Sequence, residues 1–480
     1  MYRPASDAQV SIAIIGGGFT GTTLAAELLR MSGPSVSVAL IERKDCTGRG
    51  VAYGTRCARH LLNVRAQNMS AFHEDPGHFL HWARLHYDSS TQPGDFLPRR
   101  AYGEYIDSIF RRAVEQHSDR FERIHSEAIS MSYADGRGDI FLSSGHQVAA
   151  DIVVLALGNF PPGNLNLPGK RNPSPRYMAN GWYESALDNV AQDDNVLLIG
   201  SGLTSVDVVL SLRERNIPGT IHMISRHGLL PQQQKPRAQW PAFWNGAFPQ
   251  TARGLVRLVR EQVREAEKQN VDWRAILDSI RPVTEQIWQS LPLREQRRFL
   301  RHVRSFWDVH RHRVAPEIGG VLNSELRQGS LQVHAGRITN YSERPGFVAI
   351  TYRDRESQQL KKLKVESVIN CTGPDADCRR VNDPLLTDLL RRKLVRPNAL
   401  CLGLDTAENG SLLDSRGVAS DFLYTLGPLR KGNLWETIAV PEIRVQVARL
   451  AAHLIAIIDL RSRASVAEEG SIRDNAISAG

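Results

Sequence analysis

The chain has 480 residues, 41% of them hydrophobic, which is enough for two or three domains with ordinary buried cores. Lys and Arg outnumber Asp and Glu by 60 to 51, and the net charge of +9 is compatible with nucleic acid, a membrane surface or small anionic ligands. No run approaches the roughly 18 apolar residues of a membrane span, and neither a secretory leader nor a nucleic-acid-binding module is recognisable. We therefore expect a cytoplasmic globular protein that binds small anions, without membrane or nucleic-acid partners. The sequence does not indicate its oligomeric state.

The cysteines bear on redox chemistry. Their number is odd, they are scattered, and they form neither a Cys-x-x-Cys pair nor a Cys/His set at zinc spacing. We expect no disulfide framework, no dithiol redox centre and no metal site. The cysteines are Cys46, Cys57, Cys371, Cys378 and Cys401.

A glycine-rich turn near the N-terminus is the first motif that indicates chemistry. Strands are predicted over 10–15 and 36–41, a helix over 22–30, and the turn has the form Gly-x-Gly-x-x-Gly. Gly16 permits the tight turn, Gly18 lets the backbone approach a pyrophosphate, and Gly21 lets the helix pack close to the strand. Glu42 ends the second strand, where an acid binds ribose hydroxyls. This unit predicts a dinucleotide site.

The apolar strand predicted over 152–157 ends the first part of this domain, and a second unit of the same kind follows. It comprises strands over 195–199 and 221–225 and a helix over 206–213. Its turn contains Gly200 and Gly202, with Ser205 where the first turn has its third glycine. Arg226 follows the second strand, where a cation favours NADPH over NADH, although a solvated surface arginine is the alternative.

The two units predict an α/β fold with two Rossmann-like dinucleotide-binding domains and a helical insertion. The strands predicted over 365–370 and 422–426 are expected to return to the first sheet, which would bring Gly373 and Gly427 to its cofactor. The predicted domains are 1–170 and 365–460 for the discontinuous first domain, 190–360 for the second with its insertion at about 251–315, and 461–480 as a flexible tail.

Several further segments carry a family resemblance. The segments are GRGVAYGT at 48–55, HLLNV at 60–64, NMSAF at 68–72, WDVHRHR at 307–313, and LGPLRKG at 426–432 leading into WET at 435–437 and PEIR at 441–444. Together they resemble the FAD/NAD(P)-binding family that includes FAD-dependent urate hydroxylase and the aspartate N-monooxygenases that make nitrosuccinate. The resemblance covers the chain from residue 12 to about residue 450.

The resemblance implies a flavoprotein in which NAD(P)H reduces FAD and a flavin hydroperoxide delivers one oxygen atom from dioxygen to a small anionic substrate. FAD is assigned to the first unit because the second is left for NADPH or NADH. The loop containing Arg49 suits a flat ligand, and Asn68 and Met69 are candidate flavin contacts, although a buried methionine is more often core. Trp435 is expected near the flavin as well.

The segment at 307–313 is dense in cationic side chains. Arg311 and Arg313 are candidates to clamp a carboxylate or the urate anion, and His310 to accept or donate a proton. A basic helix end or an NADPH phosphate site is the alternative interpretation.

The leading functional hypothesis is urate hydroxylation. N-hydroxylation of aspartate or another amino acid is the alternative within the same class. A flavin-bound regulatory or electron-transfer protein without oxygen insertion is the alternative from another class, and the absence of a cysteine pair makes electron transfer to a disulfide less favoured.

Overall fold

The computed structural model of the chain describes residues 10–45, 47–134, 136–170, 174–236, 238–244 and 248–477. Its strands are β1 (Val10–Ile15), β2 (Val36–Glu42), β3 (Phe121–His125), β4 (Ala128–Ala134), β5 (Arg137–Leu142), β6 (Gln147–Ala150), β7 (Ile152–Leu155), β8 (Tyr177–Met178), β9 (Val196–Ile199), β10 (Ile221–Ser225), β11 (Leu331–Arg344), β12 (Phe347–Asp354), β13 (Leu360–Val365), β14 (Ser367–Asn370), β15 (Ser411–Leu413) and β16 (Ala419–Thr425).

The α-helices lie between these strands and in one long run, α7 to α12, that no strand interrupts. They are α1 (Phe19–Met31), α2 (Gly50–Tyr53), α3 (His78–His86), α4 (Arg99–Gln116), α5 (Glu184–Leu187), α6 (Leu203–Glu214), α7 (Ala252–Lys268), α8 (Trp273–Ile280), α9 (Thr284–Ser290), α10 (Leu293–His302), α11 (Arg304–Arg311), α12 (Pro316–Gln328), α13 (Pro384–Arg391), α14 (Lys431–Leu434) and α15 (Val440–Ile477). Within the described ranges, no helix has the length and apolarity needed to cross a membrane.

The first sheet has the strand order β15-β16-β7-β1-β2-β3, parallel except for the pair β15–β16. Ile12 and Ile14 of β1 pack under α1, α4 and α15, whereas Ala13 and Ile15 pack against α13 and the small sheet β4-β5-β6. Burial on both faces explains why β1 is a continuous apolar run. Strand β1 lies between β2, the next strand in the chain, and β7, which follows much later. The connections of these strands run in opposite directions from β1, which leaves a crevice at its carboxyl end.

The second sheet has the order β13-β12-β11-β10-β9-β14-β8, in which β9 lies between β10 and β14. Strands β8, β14, β9, β10 and β11 run parallel, and β12 and β13 add antiparallel hairpins. The prediction that the strand at 365–370 returns to the first sheet is wrong, because β14 pairs with β9 and β8. The prediction for 422–426 is confirmed, since β16 pairs with β7.

The charged segment after residue 251 forms helices α7 to α11, as its pattern predicts. Their apolar faces pack around Leu255, Leu277, Trp288 and Phe299, with Trp435 entering from the C-terminal segment. The sequence predicts a flexible tail over 461–480. In the structure the backbone of α15 continues as helix to Ile477. Its Ala, Glu and Arg residues favour helix locally.

A buried ion pair joins a helix beside the first sheet to a helix beside the second. Arg99 on α4 pairs with Asp207 on α6 at 2.9 Å. His60 lies beside this pair, with Nε2 2.9 Å from the Asp207 carbonyl oxygen and Nδ1 2.8 Å from the Thr55 hydroxyl. Because a carbonyl oxygen can only accept, Nε2 carries the proton. Burial lowers the pKa of His60, which favours the neutral imidazole in this contact.

Candidate active site

The first cleft lies at the carboxyl end of β1, between β2 and β7. Gly16 has φ +109°, and a side chain there would overlap the carbonyl oxygen of Ala156. A side chain at Gly21 would overlap the carbonyl oxygen of Gly16. At Gly18 the nearest atom to an added Cβ is the Gly50 Cα at 3.7 Å, so this position is open and lines the cleft. The three glycines therefore serve different purposes: two permit close packing and one leaves room for a ligand.

Helix α1 presents its N-terminus to the same cleft. Its N-cap is Gly18, and no side chain caps it, so the first backbone N–H groups are available to an anion. Glu42 accepts a hydrogen bond from the Gly17 N–H at 2.6 Å and lines the cleft with Arg49. The Gly48 N–H donates to the Gly17 carbonyl at 2.8 Å, which holds the loop of Arg49 against the turn. An uncapped helix end, an open glycine and a carboxylate fit the pyrophosphate and ribose of FAD.

The other candidate flavin contacts are dispersed. Gly427 lies beside Thr20 at the start of α1. Met69 is 2% exposed and packs in the core under the first sheet, away from the cleft. Asn68 lines the neighbouring basic cavity, described below, and Trp435 lines an apolar cavity in the helical insertion. The expectation that these four residues surround one flavin stays a prediction, because they lie at separate spaces.

The second turn repeats the first at the carboxyl end of β9. Gly200 has φ +123°, and a side chain there would overlap the Cys371 carbonyl oxygen. Gly202 has no atom within 4 Å of an added Cβ and begins α6 without a side-chain cap. Ser205 is fully buried, as a close-packing position requires. Gly373 follows β14 and so belongs to this turn instead of to the first sheet, because β14 pairs with β9.

Arg226 is exposed at the end of β10. The guanidinium of Arg355 donates to its carbonyl oxygen at 3.4 Å. Burial, followed by the charges of Arg355 and Arg226, lowers the pKa of neighbouring His227. Arg355 follows β12, which is remote in sequence, so no local pattern could have indicated it. The pair of arginines forms a cationic cluster where a nicotinamide dinucleotide bound at the second turn would carry its adenosine ribose.

A basic cavity lies between the two sheets and the helical insertion. Its wall includes Asn68, His312 and two carboxylates, Asp272 and Asp278. Its six cationic side chains are Arg65, Lys235, Arg274, Arg281, Arg311 and Arg313. Ile438 lines the first cleft and Ala439 lines the basic cavity, so the two spaces adjoin at the start of α15. The cavity is therefore a charged compartment next to the dinucleotide cleft.

Arg311 and Arg313 are buried in the wall of this cavity, at 9% and 3% exposure. Arg313 pairs with Asp278, and Arg311 donates to Glu442 at 3.2 Å. Each keeps a buried Nε–H that has no hydrogen-bond acceptor among the described residues. Because both guanidinium groups are cationic and line the cavity, the two arginines are suited to bind an anion there.

His310 does not join these arginines. Its Nδ1 lies 2.8 Å from the Phe306 carbonyl oxygen, and its ring contacts Trp273 edge-on at 4.8 Å in the apolar cavity. The histidine that shares the basic cavity is His312, which was not among the predicted site residues. Burial lowers the pKa of His312, and its Nε2 lies 3.8 Å from Glu436. Burial alone raises the pKa of Glu436, but His312 and Arg311 hold it below its usual value.

Comparison with known proteins extends these observations. The sequence pattern of an FAD-NAD(P)-binding family matches residues 13–160. A search among curated proteins gives no significant match to the sequence.

Within the described residues no group of His, Cys, Asp and Glu side chains could hold a metal ion.

Similar solved structures cover nearly the whole chain. L-lysine 6-monooxygenase from Pseudomonas syringae has a TM-score of 0.65 at 15% identity, covering 93% of this chain and 99% of its own. The ornithine N-hydroxylase of Kutzneria sp. 744, solved with reduced FAD, NADP+ and L-ornithine, has 0.63 at 14%, covering 94% and 99%. Bacillithiol disulfide reductase from Staphylococcus aureus has 0.53 at 12%, covering 93% and 98%. The chain therefore has the α/β fold of two-domain flavoproteins that bind FAD and NAD(P), with the FAD-NAD(P)-binding pattern in its first domain.

Proposed function

We propose that the protein is an FAD- and NADPH-dependent monooxygenase that hydroxylates the amino group of a small acidic amino acid such as aspartate. The observation that carries this proposal is the basic cavity beside the first cleft, which Arg311 and Arg313 line together with four further cationic side chains. The lysine and ornithine monooxygenases with a similar fold support amine N-hydroxylation over urate hydroxylation, the leading hypothesis from the sequence.

The charge balance of the cavity favours a dicarboxylate over a diamine. The six cationic side chains face four carboxylates: Asp272 and Asp278 in the wall, and Glu436 and Glu442 behind it. The lining therefore keeps an excess of positive charge, which suits the two carboxylates of an acidic amino acid. A second ammonium, as in ornithine or lysine, would be repelled by roughly 3 kcal/mol for each unit charge 5 Å away at an effective dielectric of 20.

The side chains of this chain bind and orient the substrate. Arg311 and Arg313 would hold the carboxylates through charge-assisted hydrogen bonds, which fixes the direction of the amino group. Burial lowers the pKa of His312, so its imidazole can accept a hydrogen bond from the substrate amino group and help to orient it. Reduced FAD, when bound in the first cleft, supplies the activation of dioxygen.

Electron transfer to a disulfide is the competing function that the fold also accommodates, as the bacillithiol disulfide reductase illustrates. Such a reaction needs a reactive thiolate. Burial raises the pKa of Cys57 and Cys378 to about 11 and that of Cys371 to about 12. These three thiols stay protonated and unreactive at neutral pH, so none of them is suited to serve as that thiolate.

The test is substrate-stimulated NADPH oxidation in air, with mass analysis for a product that has gained one oxygen atom. We expect aspartate to stimulate oxidation and to yield its N-hydroxy product, whereas ornithine, lysine and urate do not. If none of the four raises the rate above background, the proposal fails. If NADPH does not bleach the flavin under anaerobic conditions, the protein is a binding or regulatory module instead.

Matched variants test the role of the arginines. Arg311→Lys and Arg313→Lys keep the charge but lose the planar fork, so we expect the KM for aspartate to rise about tenfold or more while NADPH still reduces the flavin. Arg304→Lys is the control, because Arg304 begins the same helix, pairs with Asp308 and lies outside the basic cavity. An equal rise in all three variants would contradict the assignment.

A further inference from the structure

A cluster of largely buried polar side chains connects the domain of the first sheet to the domain of the second. It consists of His60, Arg99 and Asp207, and we call it the domain joint. We propose that its members are positioning residues for hydride transfer from NADPH to FAD, because they set the angle between the helix that supports the first cleft and the helix that begins at the second turn. This inference rests on the NADPH-dependent flavin reduction of the proposed function and not on the identity of the amino acid.

On the side of the first sheet, the joint belongs to helix α4, which supports the wall of the first cleft. Arg99 is the first residue of α4. One turn later, a side chain at Gly103 would lie 2.6 Å from the carbonyl oxygen of Tyr53, a residue that lines the cleft. The ring of Tyr102 contacts the ring of Tyr53 at 4.7 Å and that of Phe19 at 6.0 Å. Helix α4 and the cleft wall are therefore packed as one unit.

On the side of the second sheet, the joint belongs to helix α6, which begins at the second turn. The N-cap of α6 is Gly202, and Asp207 follows on the same helix with 4% exposure. Five helical residues correspond to roughly 8 Å along the helix axis. The carboxylate of Asp207 is therefore held on the element whose N-terminus would bind the pyrophosphate of NADPH, but it lies outside that binding site.

The ion pair of the joint has a fixed direction. Arg99 Nη1 lies 2.9 Å from Asp207 Oδ2, and Nη2 donates to Oδ1 at 3.1 Å. The two side chains are 11% and 6% exposed. Arg99 Nε also donates to the Leu61 carbonyl at 3.0 Å, and the guanidinium lies over the ring of Trp182 at 5.5 Å. A planar fork that meets a carboxylate through two nitrogens fixes an angle as well as a distance.

His60 adds a second connection between the same elements. Its Nε2 lies 2.9 Å from the Asp207 carbonyl oxygen and 3.0 Å from the Ser211 hydroxyl, one turn further along α6. Its Nδ1 lies 2.8 Å from the hydroxyl of Thr55, which follows the loop of the first cleft. The imidazole therefore bridges that loop and α6, so rotation of α6 relative to the first cleft would break polar contacts at both residues of the joint.

The covalent connections between the domains do not fix this angle by themselves. One follows β7 and the other follows β14, and they run side by side, since the Asp375 N–H donates to the Pro161 carbonyl at 3.2 Å. Adjacent connections allow rotation about them as a hinge. In the reaction the nicotinamide loses a hydride and FAD gains it, and the reacting atoms must approach to about 3–3.5 Å. A contact that fixes α6 against α4 restricts that rotation.

Asp207→Asn tests the inference in the FAD-loaded protein, because it keeps the size of the side chain and removes its charge. We expect the limiting rate of anaerobic flavin reduction at saturating NADPH to fall about tenfold or more. The Kd for NADP+ in calorimetry should stay within about twofold, because the second turn is not touched. The change that NADP+ induces in the flavin absorption spectrum should lose most of its amplitude, since the nicotinamide no longer reaches the ring in register.

Glu325→Gln is the matched control. Glu325 on α12 pairs with Arg213 of α6 at 2.8 Å, and these side chains are 16% and 11% exposed, but both belong to the second domain. The control should leave the reduction rate and the flavin spectrum unchanged. If Asp207→Asn does not fold, Arg99→Met combined with Asp207→Leu replaces both charges with apolar groups, which is often neutral for stability. This double variant should also lose the rate, because an apolar contact has no fixed direction.

Four results would overturn the inference. They are a reduction rate within twofold of wild type in both joint variants, an equal loss of rate in Glu325→Gln, a Kd for NADP+ that rises as much as the rate falls, and a wild-type flavin spectrum that NADP+ does not change. If NADPH does not reduce the wild-type flavin, the proposed function fails, and the NADP+ spectra of wild type and variants decide the inference. Neither assay contains an amino acid, so the outcome is separate from the test with aspartate.

Discussion

Replacing Gly18 with alanine is expected to remove FAD while leaving the fold intact. Gly18 has φ −73° and ψ −170°, a conformation that alanine adopts readily, and the nearest atom to the added Cβ is 3.7 Å away. Alanine restricts the unfolded chain, which gains about 0.4–1 kcal/mol, but it is a poorer N-cap than glycine, which offsets the gain. The apoprotein should therefore melt at about the same temperature.

The cost of the Gly18→Ala change falls on the cofactor. The methyl group would occupy the space through which the backbone approaches the pyrophosphate, at the expense of at least one charge-assisted hydrogen bond worth about 1.5–3 kcal/mol. This loss corresponds to roughly a 10- to 150-fold increase in the Kd for FAD. Flavin-fluorescence titration of deflavinated protein measures it, alongside the melting temperature without FAD.

Gly202→Ala is the matched control, since Gly202 has φ −88° and ψ −166° and an equally open environment at the second turn. It should weaken NADPH and leave FAD unchanged. If Gly18→Ala keeps FAD affinity within twofold, or if Gly202→Ala loses FAD to the same extent, the assignment of the two turns is refuted.

Three further predictions concern packing, cofactor choice and pH. Gly21→Ala should destabilise the fold by about 3 kcal/mol or more in urea denaturation, since its Cβ would overlap the Gly16 carbonyl, and a stability equal to that of wild type would contradict the close packing. Arg226→Ala should weaken NADPH about tenfold in a binding titration and leave NADH nearly unchanged, whereas equal losses would remove the case for NADPH. Burial, followed by the charge of His334, lowers the pKa of His222 from 6.5 to about 4. Between these two pH values the unfolded chain binds more protons than the folded one. The free energy of unfolding therefore falls as the pH drops from about 6.5 to about 4. The loss should be on the order of 2 kcal/mol, and His222→Gln should flatten it; an unchanged pH profile would contradict the shift.

Two local features of the fold could be predicted from the sequence. The strand–turn–helix units at Gly16 and Gly200 follow from steric limits on a few adjacent residues and from continuous apolar strands, which are properties of neighbours in the chain. The helical insertion follows from amphipathic periodicity in the same way. The glycines of both turns can therefore be identified from the amino-acid sequence alone.

Partnerships between distant segments were decided by the tertiary structure. The apolar pattern of β14 is compatible with pairing in either sheet. Only the packing of the whole chain puts β14 beside β9, and therefore Gly373 beside the second turn. In the same way, only the fold brings Arg355 to Arg226.

The candidate residues at 307–313 show that the sequence also left side-chain direction undecided within a single short segment. The sequence indicated a cationic cluster that binds an anion, and it grouped His310 with Arg311 and Arg313. Helical geometry turns His310 into the apolar cavity and leaves His312 with the arginines. Composition and spacing determined which chemical groups the protein has and where its two nucleotide turns lie. The direction of each side chain, and therefore which groups share a cavity, depended on long-range packing that no local pattern records.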